Sequence, residues 1–230
     1  MEKEKIVVLS GAGISAESGI KTFRDAGGLW EGHDVMEVAS PQGWAKNPAL
    51  VLDFYNQRRR QLKEVAPNFG HEAMVQLEEK YDVHIVTQNV DNLHEKAGSN
   101  TIIHLHGELV KSRSTQDENL VYDCQDDINI GDLCELGSQL RPHIVWFGEM
   151  VPMLQVAAQT IVDAHKVIII GTSMQVYPAA GLISFAPADA EVYYVDPNPS
   201  INYELQFTNN LTVVEDKATS GMQTLLKKLL

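Results

Sequence analysis

"KIVVLSGAGISAESG", residues 5–19, decides the fold. A short, largely apolar run comes first, and a glycine-rich turn follows it directly. A continuous apolar run of this length reads as a strand covered on both faces. In the turn, Gly11, Gly13 and Ala16 stand at the G-x-G-x-x-G/A spacing that opens a helix after a strand. Small residues let a backbone approach a pyrophosphate there, and a helix N-terminus offers it N–H donors. Alone, the pattern is a weak motif, and a tight structural turn is the competing reading.

Similar short runs recur at residues 83–86, 101–105, 143–147, 166–170, 191–195 and 211–214. Helical patterns lie between several of them. "PALVLDFYNQRRRQLKEV" opens with proline in its first turn, and "GHEAMVQLEEK" places Ala73, Met74 and Leu77 at helical spacing. "VPMLQVAAQTIVDAH" and "KATSGMQTLLKKLL" also read as helices. Strands alternating with helices imply an α/β fold with a Rossmann-like, doubly wound parallel sheet. Residues 22–65 and 108–142 fit this alternation poorly, the second stretch being polar and partly acidic. The expected division is one catalytic domain over residues 1–230. Its large part takes residues 1–21, 83–107 and 143–230, and a small inserted module takes 22–82 and 108–142.

Composition narrows the function. With 31 acids against 18 bases the net charge is −13, which repels phosphate backbones and argues against nucleic acid as a partner. A lysine-rich protein segment would be weakly attracted. No run approaches the ~18 apolar residues of a membrane span, and the opening apolar run is too short for a signal peptide. Two cysteines, Cys124 and Cys134, make no disulfide framework. The expectation is a cytoplasmic protein, not membrane-bound, with a monomer favoured.

A hydride-transferring dehydrogenase is disfavoured, because no second strand ending in an acid follows the glycine turn. Asp25 and Asp34 lie instead in "TFRDAGGLWEGHD", which reads as a loop. A lid folding over a dinucleotide would suit that composition, with Phe23 shielding a reacting centre and Arg24 meeting phosphate.

Two more stretches concentrate chemistry. "TQNVDNLHEKAG" begins at Thr87 and sets Gln88, Asn89, Asp91, Asn92 and His94 within seven residues. Such a turn either grips a ligand or fixes its own backbone; His94 reads as a helix-surface residue. "IIHLHGEL" puts His104 and His106 on one side of a strand. A metal pair would need a third ligand, and none stands at recognisable spacing.

Taken in order, "GAGISAESGIKTFRD", "TQNVDNLHEKAG", "HLHGEL", "RPHIVWFGE" and "GTSMQVYPAAG" resemble the sirtuins, the NAD-consuming protein deacylases. The resemblance implies that NAD is a consumed cosubstrate. It implies cofactor contacts from Gly11, Ala12, Gly13, Ser15, Phe23 and Arg24, and from Gln88, Asn89 and Asp91 around the nicotinamide ribose and carboxamide. Gly171, Thr172 and Ser173 would meet the phosphate or adenosine half, and Asp196, Asn198 and Ala218 the adenosine. His106 is implied as general base, with Asn89 also catalytic; His104 is expected to be structural. An acyl-lysine segment of another protein would add as a strand between Gly148–Glu149 and Val176–Tyr177, with Val145, Trp146 and Phe147 lining the acyl-lysine tunnel.

"FYNQRRRQL" looks like the class III pattern, in which a tyrosine and an arginine three residues on select acidic acyl groups. Here these are Tyr55 and Arg58. Residues i and i+3 share a helix face, and arginine binds a carboxylate bidentately. The expected activity is removal of succinyl, malonyl and also acetyl groups from lysine, giving nicotinamide and O-acyl-ADP-ribose. A plain deacetylase, an NAD glycohydrolase and a non-catalytic NAD-binding module are the alternatives. Most sirtuins hold a structural zinc on two C-x-x-C pairs. This sequence has none, and Ser114 stands where a first cysteine would be expected. No metal is therefore expected, and the module should be held by packing alone or by a partner.

Overall fold

The computed structural model describes residues 3–22 and 29–230. Strand β1 (Lys5–Ser10) runs into a 3-10 turn, Ala12–Ser18. A two-residue-per-arm hairpin follows, β2 (Leu29–Trp30) and β3 (His33–Asp34). Then come α1 (Val35–Val38), α2 (Pro41–Lys46), α3 (Pro48–Leu62) and α4 (Phe69–Leu77). Next are β4 (Asp82–Thr87), α5 (Leu93–Ala97) and β5 (Ile102–His104). A second group has β6 (Gly107–Ser114), β7 (Val121–Asp123) and β8 (Leu140–Ile144). The chain ends with α6 (Leu154–Ile161), β9 (Lys166–Ile170), β10 (Glu191–Val195), β11 (Leu211–Val214) and α7 (Ala218–Leu229).

The main sheet is parallel, in the order β11-β10-β9-β1-β4-β5. From β1 the chain builds outward to β4 and β5 on one side, then returns to build β9, β10 and β11 on the other. The strand order thus reverses beside β1, and at such a switch point the carboxyl ends of the strands open a crevice. Along β1, Ile6 and Val8 pack with Met74 of α4 and Met222 and Leu225 of α7. Val7 and Leu9 pack on the opposite face, with Ala157 and Ile161 of α6 and with Ile183. Covering both faces explains why these strands read as unbroken apolar runs. The fold is the expected α/β, Rossmann-like, doubly wound arrangement.

The small module is a second sheet, β7-β6-β8, whose pairs are antiparallel. It packs against α3 through Val51, Phe54, Tyr55, Leu109, Ile144 and Trp146. Two expectations are corrected. The run 143–147 does not enter the parallel sheet; β8 ends at Ile144 and pairs with β6. The chain leaves β5 through Gly107, at φ +81°, where a Cβ would sit 2.0 Å from the His143 carbonyl oxygen. Only glycine permits that turn. Helix α4 also lies outside the module, since Ala73, Met74 and Leu77 pack beneath the main sheet with Ile6 and Val8. The first part of the module therefore stops short of residue 82.

The module is not held by packing alone. Ser114 Oγ lies 2.8 Å from Ser138 Oγ and accepts from the backbone N–H groups of Gln116 and Asp117 at 3.0 and 3.1 Å. The Cys134 thiol donates to Ser114 Oγ at 3.4 Å and lies 3.1 Å from Ser138 Oγ. Both cysteines are free thiols, and this hydrogen-bonded group joins the end of β6 to the connection between β7 and β8.

Candidate active site

The crevice is built from the turns after β1, β4, β5, β9 and β10. Gly11 N–H donates to Ile170 O at 3.0 Å, and Gly13 N–H to Gly171 O at 2.7 Å. A Cβ on Gly13 would meet Gly171 Cα at 2.7 Å, and one on Gly11 would meet Thr172 Cβ at the same distance. The glycines thus let the β1 and β9 turns touch. Beyond them the chain forms a seven-residue 3-10 run, not the expected regular helix. Gln88 Nε2 donates to Thr172 Oγ1 at 3.0 Å and ties the β4 turn to the same corner. Ala12 and Ser173 border this corner, both partly exposed. Asp196, buried at the end of β10, accepts from the Asn198 N–H at 2.8 Å, while the rest of Asn198 is exposed. Ala218, the first residue of α7, is buried. Phe23 and Arg24 lie outside the described residues.

Ser15 is a hub beneath this corner. Its hydroxyl donates to Asp91 Oδ2 at 3.0 Å and accepts from Asn89 Nδ2 at 3.2 Å. Asp91 Oδ1 accepts from the Leu93 N–H at 3.1 Å, so this carboxylate also starts α5. Burial raises the Asp91 pKa, and the bonds from Leu93 and Ser15 work against that rise. Behind Ser15, His71 Nε2 lies 3.4 Å from its hydroxyl. The expectation of a surface His94 is corrected: it is 1% exposed, bonds Ser10 Oγ at 3.0 Å and stacks edge-on to His71. Helix α5 has only five residues and turns both Leu93 and His94 inward.

His104 and His106 follow on β5 and its end. His106 Nδ1–H donates to Gln88 O at 3.0 Å, which leaves Nε2 as the basic nitrogen. Burial lowers its pKa, so the ring is neutral and able to accept a proton near pH 7. His104 Nδ1–H donates to Asn89 O at 3.0 Å, and its Nε2 lies 2.7 Å from Glu95 Oε1. The two rings therefore serve different partners. Glu95, His104 and Glu108 bring ligand atoms within 4.8 Å of one another, but they are joined in ion pairs that also include Lys111.

At the module side, Tyr55 and Arg58 stand one turn apart on α3. Tyr55 is fully buried, and its hydroxyl oxygen accepts from Trp146 Nε1–H at 3.1 Å. Burial pushes the phenol well above its usual range, so it is a neutral donor. The Arg58 guanidinium lies 4.3 Å over the Phe54 ring and donates Nη1–H to Phe54 O, while its buried Nε has no partner among the described residues. Trp146 is clamped in turn. Arg141 stacks on its ring at 3.2 Å and donates to both oxygens of Glu149, at 2.7 and 3.1 Å. Glu149 also accepts from the Trp146 N–H at 2.8 Å and from Arg113 at 3.3 Å. The Glu149 side chain is thus turned inward, and its own N–H donates to Trp146 O at 3.0 Å. Val145 is half-buried, and Phe147, Gly148, Val176 and Tyr177 are exposed along the facing rims. The sequence did not reveal Arg141, Arg113, His71 or Glu95 as parts of this site; the partners of Arg113 and His71 are distant in the chain, and no recognised spacing signals Arg141 or Glu95.

Residues 11–178 match the model of the Sir2 family. The chain belongs to that family. An NAD-dependent protein deacylase of Helicobacter pylori strain J99 is 59% identical over 227 residues, covering 99% of this chain and 96% of its own. One of Bacteroides thetaiotaomicron is 48% identical over 233 residues, at 99% and 98% coverage. Among solved structures, a Sir2 homologue in complex with NAD superposes with a TM-score of 0.87 at 36% identity, covering 99% of this chain and 90% of that one. A Sir2 complex with a p53 peptide and NAD+ gives 0.81 at 28% identity, covering 99% and 94%. This sirtuin is an NAD-dependent protein deacylase. Among the described residues, no helix is long and apolar enough to cross a membrane.

Proposed function

We propose that this sirtuin removes succinyl and malonyl groups from lysine, as well as acetyl groups, and releases nicotinamide and an O-acyl-ADP-ribose. The observation that carries this reading is the pair at the module side. Arg58 has a buried, unpartnered Nε one turn from Tyr55, whose oxygen is occupied by Trp146 so that its own hydrogen remains to donate. A carboxylate at the end of an acyl chain would accept from both.

In this reading Gln88, Asn89 and Asp91 address the nicotinamide ribose and carboxamide. Gly11, Ala12, Gly13, Ser15, Phe23, Arg24 and residues 171–173 hold the phosphates and neighbouring atoms, and Asp196, Asn198 and Ala218 the adenosine. The acyl-lysine carbonyl oxygen attacks the anomeric carbon and nicotinamide leaves. His106 Nε2 then takes a proton from a ribose hydroxyl, which attacks the imidate carbon and closes a cyclic intermediate; water adds to that carbon, its bond to the lysine nitrogen breaks, and free lysine and the O-acyl-ADP-ribose leave. The peptide backbone lies between Gly148–Glu149 and Val176–Tyr177, with Val145, Trp146 and Phe147 around the acyl-lysine. Two free thiols and no disulfide favour the cytoplasm as its compartment.

Mass spectrometry of matched succinyl- and acetyl-lysine peptides incubated with NAD tests this. The expected products are deacylated peptide and O-succinyl-ADP-ribose. Deacetylation without desuccinylation would make this a plain deacetylase, and NAD cleavage without peptide a glycohydrolase.

A further inference from the structure

Five backbone polar groups of residues 88–90 are hydrogen-bonded. Gln88 N–H donates to Ser10 O, Asn89 N–H to Thr87 Oγ1, and Val90 O accepts from Leu109 N–H. The Gln88 carbonyl accepts from His106 and the Asn89 carbonyl from His104. Buried carbonyls need such partners. Asn89 is 6% exposed, so water reaches its carbonyl poorly. His104 is in turn oriented by Glu95, at 2.7 Å from the other ring nitrogen. A carboxylate, an imidazole and a backbone carbonyl thus stand in line, in the manner by which a second group fixes a ring's orientation.

We propose that His104, oriented by Glu95, is a positioning residue that ties the Asn89 carbonyl and so sets the Asn89 side chain for cleavage of the nicotinamide bond. The inference rests on the role given to Asn89 above. Burial works against the charge on His104, but the Glu95 hydrogen bond and charge outweigh it, and its pKa is raised. The charged groups facing it are Glu95 on α5, Glu108 on β6 with its partner Lys111, and Asp91 in the loop; the His94 ring on α5 lies nearby. The protonated ring can donate to Asn89 and Glu95 at once. It also lowers the Asp91 pKa, favouring the carboxylate.

Two isosteres separate the two bonds. The amide nitrogen of asparagine overlays Nδ1 of histidine, and that of glutamine overlays Nε2. His104→Asn keeps the donor to Asn89 O; His104→Gln keeps the one to Glu95. The readout is exchange of labelled nicotinamide into NAD in the presence of acyl-peptide, a step that precedes the work of His106. His104→Gln should slow exchange and kcat about tenfold, within the range that small misplacements of reacting groups cost, with the peptide KM unchanged. His104→Asn should stay within about twofold of the native enzyme. Native exchange in His104→Gln would overturn the proposal. So would an equal fall in both variants with matching losses of Tm, which is what a purely structural role gives. Asn89→Ala is the control for the underlying role. Normal exchange in that variant would remove Asn89 from the step and the proposal with it, whereas slow Asn89→Ala beside normal His104→Gln would sink the tie alone.

Discussion

His106 and His104 grip successive carbonyls of one loop: Nδ1–H of the first reaches Gln88 O and that of the second Asn89 O, both at 3.0 Å. For the general base proposed at His106, this fixes which nitrogen would act. Nδ1 holds the hydrogen, and Nε2 keeps the lone pair a general base needs.

The pH profile should show it. Burial lowers the His106 pKa from its ordinary 6.5. The active form is neutral, so activity falls as pH drops through that lowered value. The acid limb of kcat/KM should therefore lie below pH 6.5. His106→Ala should abolish deacylation and leave NAD binding, measured by calorimetry, largely intact. An acid limb near pH 7.5, or near-normal turnover in the variant, would remove His106 from the mechanism.

A second prediction concerns the module. Ser114 at the end of β6 bonds to Ser138 and Cys134 in the connection between β7 and β8, which also bond to each other. Elemental analysis of tag-free protein should give far less than one zinc per chain, and a chelator should leave Tm unchanged. Ser138→Ala should cost about 1 kcal/mol in denaturant titration, the net worth of a typical hydrogen bond. Stoichiometric zinc, or a chelator-induced loss of Tm, would be the contrary result.

What was legible in the sequence follows from what was local. The parallel sheet could be read because strands buried on both faces leave unbroken apolar runs, as in residues 5–10 and 166–170. The run 143–147 misled for the same reason. Ile144 and Trp146 are buried against α3 rather than inside the main sheet, while Phe147 is exposed, and the close approach at Gly107 joins the run to β6. His94 looked like a surface residue because its partner, Ser10, lies 84 residues away. The inward turn of Glu149 depends on Arg141, eight residues before it, and on Arg113, which the pairing of β6 with β8 brings to it.

The buried His71 and His94 should make stability pH-dependent. Burial lowers His71 to about 4, and His94 lies well below its ordinary 6.5. The unfolded chain therefore takes up protons first as pH falls below 6.5, and folded-state stability declines toward pH 4. His104, raised in the folded state, has the opposite sign: its contribution is present at low pH and lost as pH rises through its folded value. Native Tm should drop between pH 7 and 5, and His71→Gln should flatten that slope while lowering Tm at pH 7. A native Tm that holds level or rises toward pH 5 would contradict the assignment.

The acyl specificity should lie with Arg58, Tyr55 and the ring that orients Tyr55. A succinyl or malonyl carboxylate meeting a guanidinium and a phenol in a partly dry site gains charge-assisted hydrogen bonds of about 1.5–3 kcal/mol, roughly tenfold to a hundredfold in binding. An acetyl group has no carboxylate and loses nothing when these donors go. It can even gain, since burying an unpaired cation is costly. Arg58→Met should cut kcat/KM for succinyl peptide by that factor and leave the acetyl peptide equal or better. Tyr55→Phe should act with the same sign and a smaller size. Trp146→Phe removes the indole N–H that now occupies the Tyr55 oxygen. The phenol hydrogen is then no longer directed, and desuccinylation should fall by less than in Tyr55→Phe, with the acetyl peptide as internal reference. The comparison is kcat/KM for matched succinyl and acetyl peptides across native enzyme and the three variants. A parallel fall in both activities would assign these residues to structure and remove them from specificity.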